Sequence, residues 1–575
     1  MRNSPVFITT LKHDRPARRL TKTVCRLWLL LLLPWPVHAD SPAEAAIASA
    51  QPLATAVGIN ILAAGGNAFD AAIAVTATLA VVEPYSSGIG GGGFYLLHRA
   101  RDNHQIMLDA RETAPRLTRQ RDFLDTAGNL DRNISINSAL AAGIPGIPAA
   151  LEHLASRYGR LPLQTTLAPA IEYAREGFPV TERYRRLAGY RLEVLRRDPE
   201  TAKVFLHNND IPPPGHVIKQ PALAATLMTI ADQGAAGFYQ GKLADRLAQS
   251  VTLAGGHWTR EDLLEYRVIE RAPIVTQYHN IRIVSAPPPS SGGIVMGQAL
   301  NILEQFDLSG LDSVGRKHLV VEAMKRAYRD RAVYLGDSDF VDVPVTRLLD
   351  KRYAEGLALG IDPQRATPSA ELPPGEASVG IGEDTTHFSI LDRDGNRVAA
   401  TLSINLPFGT GILAGDTGVL LNNELDDFAL KPSAPNAYGL VGDEANKIEP
   451  GKRPLSSMTP TFLETADKVA ILGTPGGSRI ISMVMLGALE FANGGLPREW
   501  VATPRYHHQY LPDVIQHEPA ALTAAEQSGL KSLGHELSDI GRMYGNMQAI
   551  LWHKPTNLVF AASDPRGEGS AEKAP

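Results

Sequence analysis

Cysteine is almost absent from this chain of 575 residues. Its one cysteine, Cys25, lies in an N-terminal stretch that has the features of an export signal, so the exported chain would contain none. Disulfide bonds and thiolate metal sites are therefore excluded for that chain. Core packing alone has to hold it together.

The chain also has little apolar sequence that is both long and uncharged. The segment at 27–37, LWLLLLLPWPV, is shorter than the roughly 20 residues that a membrane-spanning helix needs. It follows a basic stretch and precedes small residues that fit a cleavage site after Ala39. We expect a signal peptide over 1–39, export to the periplasm or the cell exterior, and no membrane attachment after signal removal. An uncleaved anchor is the alternative.

Basic residues are in deficit after the signal peptide. The leader holds seven of the 56 Lys and Arg and one of the 61 Asp and Glu, which leaves 49 against 60 and a formal charge of −11. Such a chain is poorly suited to a phosphate backbone, so nucleic acid is not an expected partner. Charge blocks, long low-complexity linkers and internal repeats are missing as well, so nothing divides the length into independent units.

One stretch departs from the periodic pattern of the rest. Residues 360–384 are rich in Pro, Gly and Ala and have almost no apolar periodicity, which predicts an exposed and mobile segment. The next residue is Thr385. A threonine hydroxyl is a poor nucleophile unless a base takes its proton, and the amine of the same residue can do so when that residue starts a chain. The sequence thus poses the question of a cut between Asp384 and Thr385.

The residues after Thr385 predict a β-hairpin. Polar and apolar residues alternate over 386–391 and again over 397–405, and DRDGN between them supplies turn residues. The register pairs residues whose numbers sum to about 788 to 790, so Thr385 should face the segment 403–405. Taken alone, the pattern also fits an exposed hairpin with a solvated polar face.

Nine longer motifs accompany this hairpin in a fixed order. They are AAGGNAFDAAIA (63–74), EPYSSGIGGGGF (83–94), LDARETAP (108–115), PPPSSGG (287–293), INLPFGTG (404–411), GVLLNNELDDF (418–428), KRPLSSMTPT (452–461), AILGTPGGSRI (470–480) and ASDPRGEG (562–569). Over essentially the whole mature chain, this series resembles the γ-glutamyltransferases (γ-glutamyltranspeptidases) of the N-terminal-nucleophile hydrolase superfamily.

The resemblance implies an α+β fold, a four-layer αββα sandwich built from both fragments of one self-cleaved precursor. The large subunit would be residues 40–384, with a flexible tail at 360–384, and the small catalytic subunit residues 385–575. Cleavage between Asp384 and Thr385 would follow from attack of the threonine hydroxyl on the preceding carbonyl. The new amine of Thr385 would then serve as the base, and Ser403 would assist the hydroxyl.

The resemblance also implies a site for a zwitterionic substrate. Its α-carboxylate needs donors and its α-ammonium needs acceptors, and the developing oxyanion needs backbone amides, which a glycine loop before a helix can supply. The implied residues are Arg111, Ser456 and Ser457 for the carboxylate; Asn405, Glu424 and Asp427 for the ammonium; Gly476 and Gly477 for the oxyanion; and Tyr438 in a lid at 431–442. Outside this context, Arg111 would be read as a surface ion pair with Asp109 or Glu112.

The implied reaction moves a γ-glutamyl group from glutathione or similar donors, through an ester on Thr385, to water or to an amino acid or peptide, without a cofactor. One alternative is a glutaryl-cephalosporin acylase on the same fold. Asp427, whose carboxylate suits an ammonium that a glutaryl group lacks, and the lid with Tyr438 count against it. A second alternative is an uncut binding protein without activity, which the retained reactive positions disfavour.

Two further patterns favour structural roles. GIGGGG at 88–93 satisfies G-x-G-x-x-G, but a helix-like stretch precedes it and a strand-like one follows, the reverse of a dinucleotide site. His507 and His508 are adjacent on an extended segment, where neighbouring side chains point in opposite directions. Structural roles are therefore expected for both histidines rather than metal binding.

Overall fold

The computed structural model of this protein describes residues 41–372 and 385–574. The expected signal peptide, Cys25, Asp384 and residues 373–384 of the tail lie outside the described residues. Within the described ranges, no helix combines the length and the apolar character required to span a membrane.

The strands are numbered in chain order. They are β1 Ala45–Ser49, β2 Gly92–Arg99, β3 His104–Asp109, β4 Phe178–Pro179, β5 Val217–Ile218, β6 Ile269–Arg271, β7 Ile274–Tyr278, β8 Ile281–Ser285, β9 Thr386–Leu391, β10 Arg397–Ser403, β11 Thr461–Glu464, β12 Lys468–Gly473, β13 Tyr506–His507, β14 Ile515–His517, β15 Leu537–Asp539, β16 Gln548–His553, β17 Leu558–Ser563 and β18 Ser570–Ala574.

Most strands belong to two antiparallel sheets. The seven-stranded sheet has the order β18-β1-β9-β10-β2-β3-β6, and the six-stranded sheet has the order β17-β16-β12-β11-β8-β7. Each sheet takes strands from both sides of Thr385, and β9 and β10 lie between β1 and β2. The chain on either side of Thr385 therefore cannot form a complete sheet by itself.

The α-helices are numbered in the same way. They are α1 Pro52–Ala63, α2 Ala68–Val82, α3 Arg132–Asn137, α4 Ile147–Arg157, α5 Leu163–Glu176, α6 Glu182–Tyr190, α7 Leu192–Leu195, α8 Pro199–Phe205, α9 Pro221–Gln233, α10 Ala236–Tyr239, α11 Gly241–Leu253, α12 Arg260–Glu265, α13 Gly292–Leu303, α14 Ser313–Tyr334, α15 Val345–Leu348, α16 Lys351–Leu359, α17 Ile480–Ala492, α18 Pro497–Ala502 and α19 Ala524–Ser532.

The two sheets lie between helical layers, as the strand β10 illustrates. Val398, Ala400 and Leu402 pack into a core shared with α1, α2, α5 and α9. Ala399, which points the other way, packs into a core shared with the six-stranded sheet and with α13, α14 and α17. The alternation predicted over 397–405 is confirmed, since Val398, Ala400, Leu402 and Ile404, which lie at every second position, are all in the first core.

The glycine run 90–93 serves close packing. It follows the fully buried helix α2 and leads into β2, so the helix-then-strand order expected for GIGGGG is confirmed. A Cβ on Gly91 would lie 2.1 Å from the carbonyl oxygen of Ser403, and one on Gly90 2.1 Å from that of Leu420. Glycine is needed here because two backbone segments approach each other.

The segment expected to be exposed and mobile is held down at its start. The amide of Thr367 donates to Glu322 Oε1 over 3.1 Å, and the amide of Ser369 donates to Asp513 Oδ2 over 2.6 Å. The residues at 362–365 are exposed, but Ile361, Ala366 and Ser369 are buried, so the prediction of exposure is wrong for those three. Hydrogen bonds to distant parts of the chain, which include the one from the amide of Ala366 to the carbonyl of Leu533, hold this part of the segment, and periodicity does not reveal them.

Substitution of Gly473 tests the packing between the sheets. A Cβ at this position would lie 2.2 Å from Cε1 of His387, whose ring is fixed by Thr401 and Ser389. We expect Gly473→Ala to lower the free energy of unfolding by about 1–3 kcal/mol, because the core cannot take the added volume without shifting. Denaturant titration measures this change.

Gly356→Ala is the matched control for that variant. Gly356 lies in α16 and nothing would approach its Cβ within 4 Å. Because alanine is the better helix former by about 1 kcal/mol, this variant should be unchanged or more stable. Equal stability of Gly473→Ala and the wild type would contradict the packing described here.

Candidate active site

The hairpin of β9 and β10 places Thr385 against Ser403. Leu402 pairs with Thr386, so the register sum is 788 and the predicted pairing is confirmed. The two hydroxyl oxygens, Thr385 Oγ1 and Ser403 Oγ, are 3.2 Å apart and both side chains are buried. Ser403 Oγ also accepts a hydrogen bond from the amide of Asn405 over 2.8 Å. The alternative of a solvated polar face does not hold for this end of the hairpin.

The backbone of Thr385 is strained. Its φ angle is 104°, and that of Asn405 is 70°. A positive φ is a genuine outlier for a β-branched residue, and such conformations cost of order 1–3 kcal/mol unless their surroundings hold them. The strain lies at the residue whose N-terminal peptide bond is expected to break.

The guanidinium of Arg111 is paired with two carboxylates. Nη1 donates to Glu424, Nη2 donates to Asp427 Oδ2 over 2.6 Å, and Arg111 is fully buried. Glu112 is farther away, at 3.7 Å from Nη1. Asp109 accepts a hydrogen bond from the backbone amide of Arg111 and not from its guanidinium. The carboxylates hydrogen-bonded to the guanidinium are thus the predicted ammonium acceptors, and Glu112 contributes a longer ion pair.

This pairing makes the site complementary to a zwitterion. Burial by itself lowers the pKa of Arg111, but the charges of Glu424 and Asp427 raise it above its usual value. A substrate that brings its own carboxylate and ammonium can take up the hydrogen bonds that these groups now make with one another. The site therefore contains both charge types in a preformed arrangement.

Burial raises the pKa of the acidic groups of the site. Burial raises the pKa of Glu424 to about 7, although the neighbouring Arg111 acts in the opposite direction. Burial also raises the pKa of Asp427. The pKa of Glu112 is raised well above its usual range by burial and by the charge of Glu424. An incoming cation would favour the ionised forms of these carboxylates.

Two loops meet this charged cluster from the other side. Ser456 and Ser457 lie in the loop before β11, where the amide of Ser456 donates to the carbonyl of Pro289 over 2.8 Å. Gly476 and Gly477 lie between β12 and α17, as the predicted glycine loop before a helix requires. Their φ angles of 138° and 57° are accessible mainly to glycine.

Tyr438 lies against Asn405 and the glycine loop. Its hydroxyl donates to the carbonyl of Asn405 over 2.9 Å. A Cβ on Gly477 would lie 2.2 Å from its ring. In the same loop, Asn436 Nδ2 donates to Asp427 Oδ1 over 2.8 Å. This loop therefore forms a wall of the site, as expected of a lid.

The structure gathers nearly all of the predicted site residues around one cavity. Asp384 lies outside the described residues, and Gly476 adjoins the cavity through Gly477. The other predicted residues that line it are Thr385, Ser403, Asn405, Arg111, Glu424, Asp427, Ser456, Ser457, Tyr438 and Gly477. Their chemical roles stay predictions.

Sequence reasoning missed the groups that hold these loops from behind. Arg331, on α14, donates from Nη2 to Ser457 Oγ over 3.3 Å and from Nε to Ser291 Oγ over 3.0 Å. Tyr328, one turn earlier, donates its hydroxyl to the carbonyl of Ser478 over 2.5 Å. The PPPSSGG motif, which contains Ser291, indicated that this segment matters. The contacts themselves join residues far apart in the sequence, so the motif alone did not reveal them.

The histidine pair after α18 has a structural role, as expected. His507 contacts Ser482 Oγ through Nδ1 over 2.9 Å and Gln509 Oε1 through Nε2 over 2.9 Å. His508 Nε2 contacts Asp513 Oδ1 over 3.1 Å. Burial lowers the pKa of His507 to about 3, so its imidazole is neutral.

One other group of metal-ligating side chains comes together in the described part of the chain: His318, Glu322 and His535. His318 Nδ1 and His535 Nε2 are 2.8 Å apart and hydrogen-bonded to each other. Glu322 already accepts hydrogen bonds from Arg326 over 2.5 Å and from the amide of Thr367. Because its ligands are engaged and a guanidinium lies beside it, this cluster fits a polar network that anchors the tail better than a metal centre.

Comparison with known proteins assigns the family. A sequence model described as Gamma-glutamyltranspeptidase matches residues 54–574. The glutathione hydrolase proenzyme of Escherichia coli (strain K12) is 42% identical over 538 residues, which are 92% of this chain and 91% of that protein. This chain belongs to the gamma-glutamyltranspeptidase family. The resemblance seen in the motifs is confirmed.

Solved structures agree with the predicted four-layer fold of this gamma-glutamyltranspeptidase family member. Cephalosporin acylase from Bacillus halodurans has a TM-score of 0.82 at 28% identity and covers 99% of both chains. Helicobacter pylori gamma-glutamyltranspeptidase has a TM-score of 0.55 at 40% identity and covers 57% of this chain and 94% of that chain. The acylase shares the fold at 28% identity, whereas the glutathione hydrolase proenzyme is 42% identical, so sequence similarity favours the gamma-glutamyltranspeptidases over the acylases.

The raised pKa of Glu424 predicts a pH dependence. Ionised Glu424 can accept hydrogen bonds from an α-ammonium. As the pH falls through about 7, Glu424 becomes protonated, which should weaken the binding of donors that carry an α-ammonium. The ratio of kcat/KM for a γ-glutamyl anilide to that for a glutaryl anilide should therefore fall between pH 8 and pH 5. The ratio cancels any titration that affects both donors alike.

Glu424→Gln is the variant that decides whether Glu424 is responsible. Its ratio of kcat/KM values should be lower than that of the wild type and flat over the same pH range. If the ratio still falls from pH 8 to pH 5 in Glu424→Gln as it does in the wild type, the titration belongs to another group.

Proposed function

We propose that this protein is a self-processing γ-glutamyltransferase that cleaves γ-glutamyl bonds of glutathione and related compounds. The observation that carries the proposal is the placement of Thr385 and Ser403, 3.2 Å apart, in a cavity that also holds a guanidinium and two carboxylates. The names of the relatives, glutathione hydrolase proenzymes, support both the donor class and the processing.

Processing begins with the uncut precursor. The hydroxyl oxygen of Thr385 attacks the carbonyl carbon of Asp384, the peptide C–N bond breaks, and an ester with a free Thr385 amine forms. Water then hydrolyses the ester and leaves the carboxylate of Asp384. The strained backbone of Thr385 favours this step, because cleavage releases the φ constraint.

The new amine of Thr385 then takes the proton of its own hydroxyl. The oxygen attacks the γ-carbonyl of the donor, and the oxyanion meets amides of the loop at Gly476 and Gly477. Collapse releases the amine of the donor, which receives the proton, and leaves a γ-glutamyl ester. Water, or the amine of an amino acid or peptide acceptor, completes the reaction. No step in this sequence calls for a cofactor.

The charges of the site favour a γ-glutamyl donor over a glutaryl donor. Both donors have the distal carboxylate, but only the γ-glutamyl group has the α-ammonium. Glu424 and Asp427 converge on the cavity, and Asn405 Nδ2 donates to the carbonyl of Asn423, which leaves its Oδ1 as an acceptor. Two carboxylates facing an uncharged methylene would be costly. The acylase reading therefore stays the second candidate.

The mature form proposed here is a heterodimer of residues 40–384 and 385–575, exported after removal of 1–39. The two sheets support this assembly, because each contains strands from both fragments. Amino acids and peptides are the proposed acceptors.

The purified protein should migrate as two fragments of about 37 and about 20 kDa, and the smaller should begin Thr-Thr-His. Thr385→Ala should remain a single inactive chain, because no hydroxyl is available to attack Asp384. Gel electrophoresis and N-terminal sequencing measure both. An intact wild-type chain with full activity would overturn the mechanism.

Asp427→Asn separates the two candidate functions. It keeps the size of the side chain but removes the charge proposed to receive the α-ammonium. We expect kcat/KM for a γ-glutamyl anilide to fall by about 30-fold to 1000-fold, or on the order of 2 to 4 kcal/mol. Turnover of a glutaryl anilide should be unchanged or improved, and autocleavage should persist.

The exposed variant Asp416→Asn is the control for removal of one negative charge, since Asp416 pairs only with Arg246 at the surface. It should leave both donors unaffected. Equal losses on the two donors in Asp427→Asn would show that Asp427 shapes the site without reading the ammonium.

A further inference from the structure

Arg331 is a buried cation that the reaction as described does not use. It lies in the last turn of α14 and is 4% exposed. Among residues 41–372 and 385–574, no carboxylate lies within 4 Å of its guanidinium, which donates hydrogen bonds to the hydroxyls of Ser291 and Ser457. A buried cation without a paired anion is costly, so its position calls for an explanation.

The charge of Arg331 persists at neutral pH. Burial lowers its pKa to about 10, while Tyr328 and Asp427 act in the opposite direction and Arg111 adds to the decrease. The C-terminal end of α14 contributes a partial negative charge as well. These influences are weaker than a direct ion pair, so an anion bound near Ser457 would stabilise the guanidinium further.

The contacts of Arg331 set the direction of the Ser457 hydroxyl. A serine oxygen can accept hydrogen bonds and has a single proton to donate. Because Ser457 Oγ accepts from Arg331 Nη2, its own proton is free to point into the cavity that Ser457 lines. The guanidinium also polarises this hydroxyl and makes it the better donor to an anion.

The same residue holds the loop that contains both serines. Arg331 Nε donates to Ser291 Oγ, and Ser291 Oγ donates to the carbonyl of Ser456 over 2.8 Å. Ser290 Oγ donates to the carbonyl of Met458 over 2.6 Å. The PPPSSGG motif and α14 thereby brace residues 456–458 from the side opposite the cavity.

Arg111 cannot serve a substrate carboxylate alone in the arrangement observed. Its Nη1 and Nη2 donate to Glu424 and Asp427, and its Nε donates to the carbonyl of Pro454 over 3.1 Å. Ser456 and Ser457 are the other predicted hydrogen-bond donors to the substrate carboxylate, and they do not share the bonds of Arg111 to Glu424 and Asp427. The cation behind them is Arg331.

We propose that Arg331 is a positioning residue that makes the Ser456–Ser457 loop selective for donors with an α-carboxylate. It acts through Ser457, which it orients and polarises, and its charge stabilises the bound carboxylate. The inference rests on the proposed γ-glutamyltransferase function and adds to it the residue that reads one of the two charges of the donor. A purely structural Arg331 would affect all donors alike.

Three anilides separate these roles. The γ-glutamyl anilide carries both charges, the glutaryl anilide lacks the ammonium, and the 4-aminobutanoyl anilide lacks the carboxylate. Loss of a charge-assisted hydrogen bond corresponds to roughly 10-fold to 100-fold in kcat/KM. Arg331→Met should show such a loss for the γ-glutamyl and glutaryl donors, mainly through KM, and less than about 3-fold for the 4-aminobutanoyl donor. Arg331→Lys should recover part of the loss.

Two variants on the same helix act as controls. Tyr328→Phe removes the hydroxyl that holds the carbonyl of Ser478 and should lower kcat for all three donors alike. Arg329→Gln removes a positive charge that pairs with Asp330 instead of a site serine, and it should leave all three donors unaffected. The fragment pattern on a gel shows whether each variant folds and processes.

The outcomes distinguish this inference from the proposed function. An equal loss of Arg331→Met on all three donors, or no loss on any, would overturn the inference and leave the function intact. A wild-type enzyme that turned over none of the γ-glutamyl donors would overturn the proposed function itself. If Arg331→Met is not processed, Arg331→Lys carries the test, since a uniform change across the donors would again overturn the inference.

Discussion

The pairing of β9 with β10 is the constraint on which the rest of the site depends. It lies inside the seven-stranded sheet, with β1 on one side and β2 on the other, so its register is fixed by buried residues on both faces. A slip by one residue would turn every side chain of β9 to the wrong face. The 3.2 Å contact between Thr385 and Ser403 is therefore secured by the whole sheet.

The most distinctive feature of the site around this pair is its arrangement of charged groups. Arg111, Glu424 and Asp427 neutralise one another, which makes their burial tolerable. A zwitterion offers the same two charges in the same small volume, so its binding need not leave any of the three unpaired. Arg331, behind the serine loop, has no carboxylate within 4 Å in the described chain and donates to two serine hydroxyls instead. Its charge is therefore available to stabilise a substrate carboxylate bound at Ser457.

The interleaving of strands also has a consequence for processing. Both sheets contain strands from before and from after Thr385, so a cut at Thr385 leaves two fragments joined by buried hydrogen bonds and side chains. Cleavage can therefore change the chemistry of Thr385 without dismantling the fold. The start of the tail is hydrogen-bonded to Glu322 on the large-subunit side and to Asp513 on the small-subunit side, so these contacts would also join the two fragments.

Local patterns in the sequence determined a large part of this description. The alternation over β9 and β10 with a turn between them predicts the register, because the side-chain period of a strand is two. KVAILG and the residues after TPGGSR likewise predict β12, the glycine loop and α17, which the structure has. The motifs, through resemblance, named the residues that line the cavity.

Tertiary structure alone decided how those residues engage one another. The pairing of Arg111 with Glu424 and Asp427 joins positions more than 300 residues apart, and the anchoring of Ser369 by Asp513 joins positions 144 apart. The support of Ser457 by Arg331 is equally non-local. The sequence by itself specified local conformation and the chemical groups present. Partners across such separations are set by how the sheets and helices pack, which no periodicity along the chain encodes.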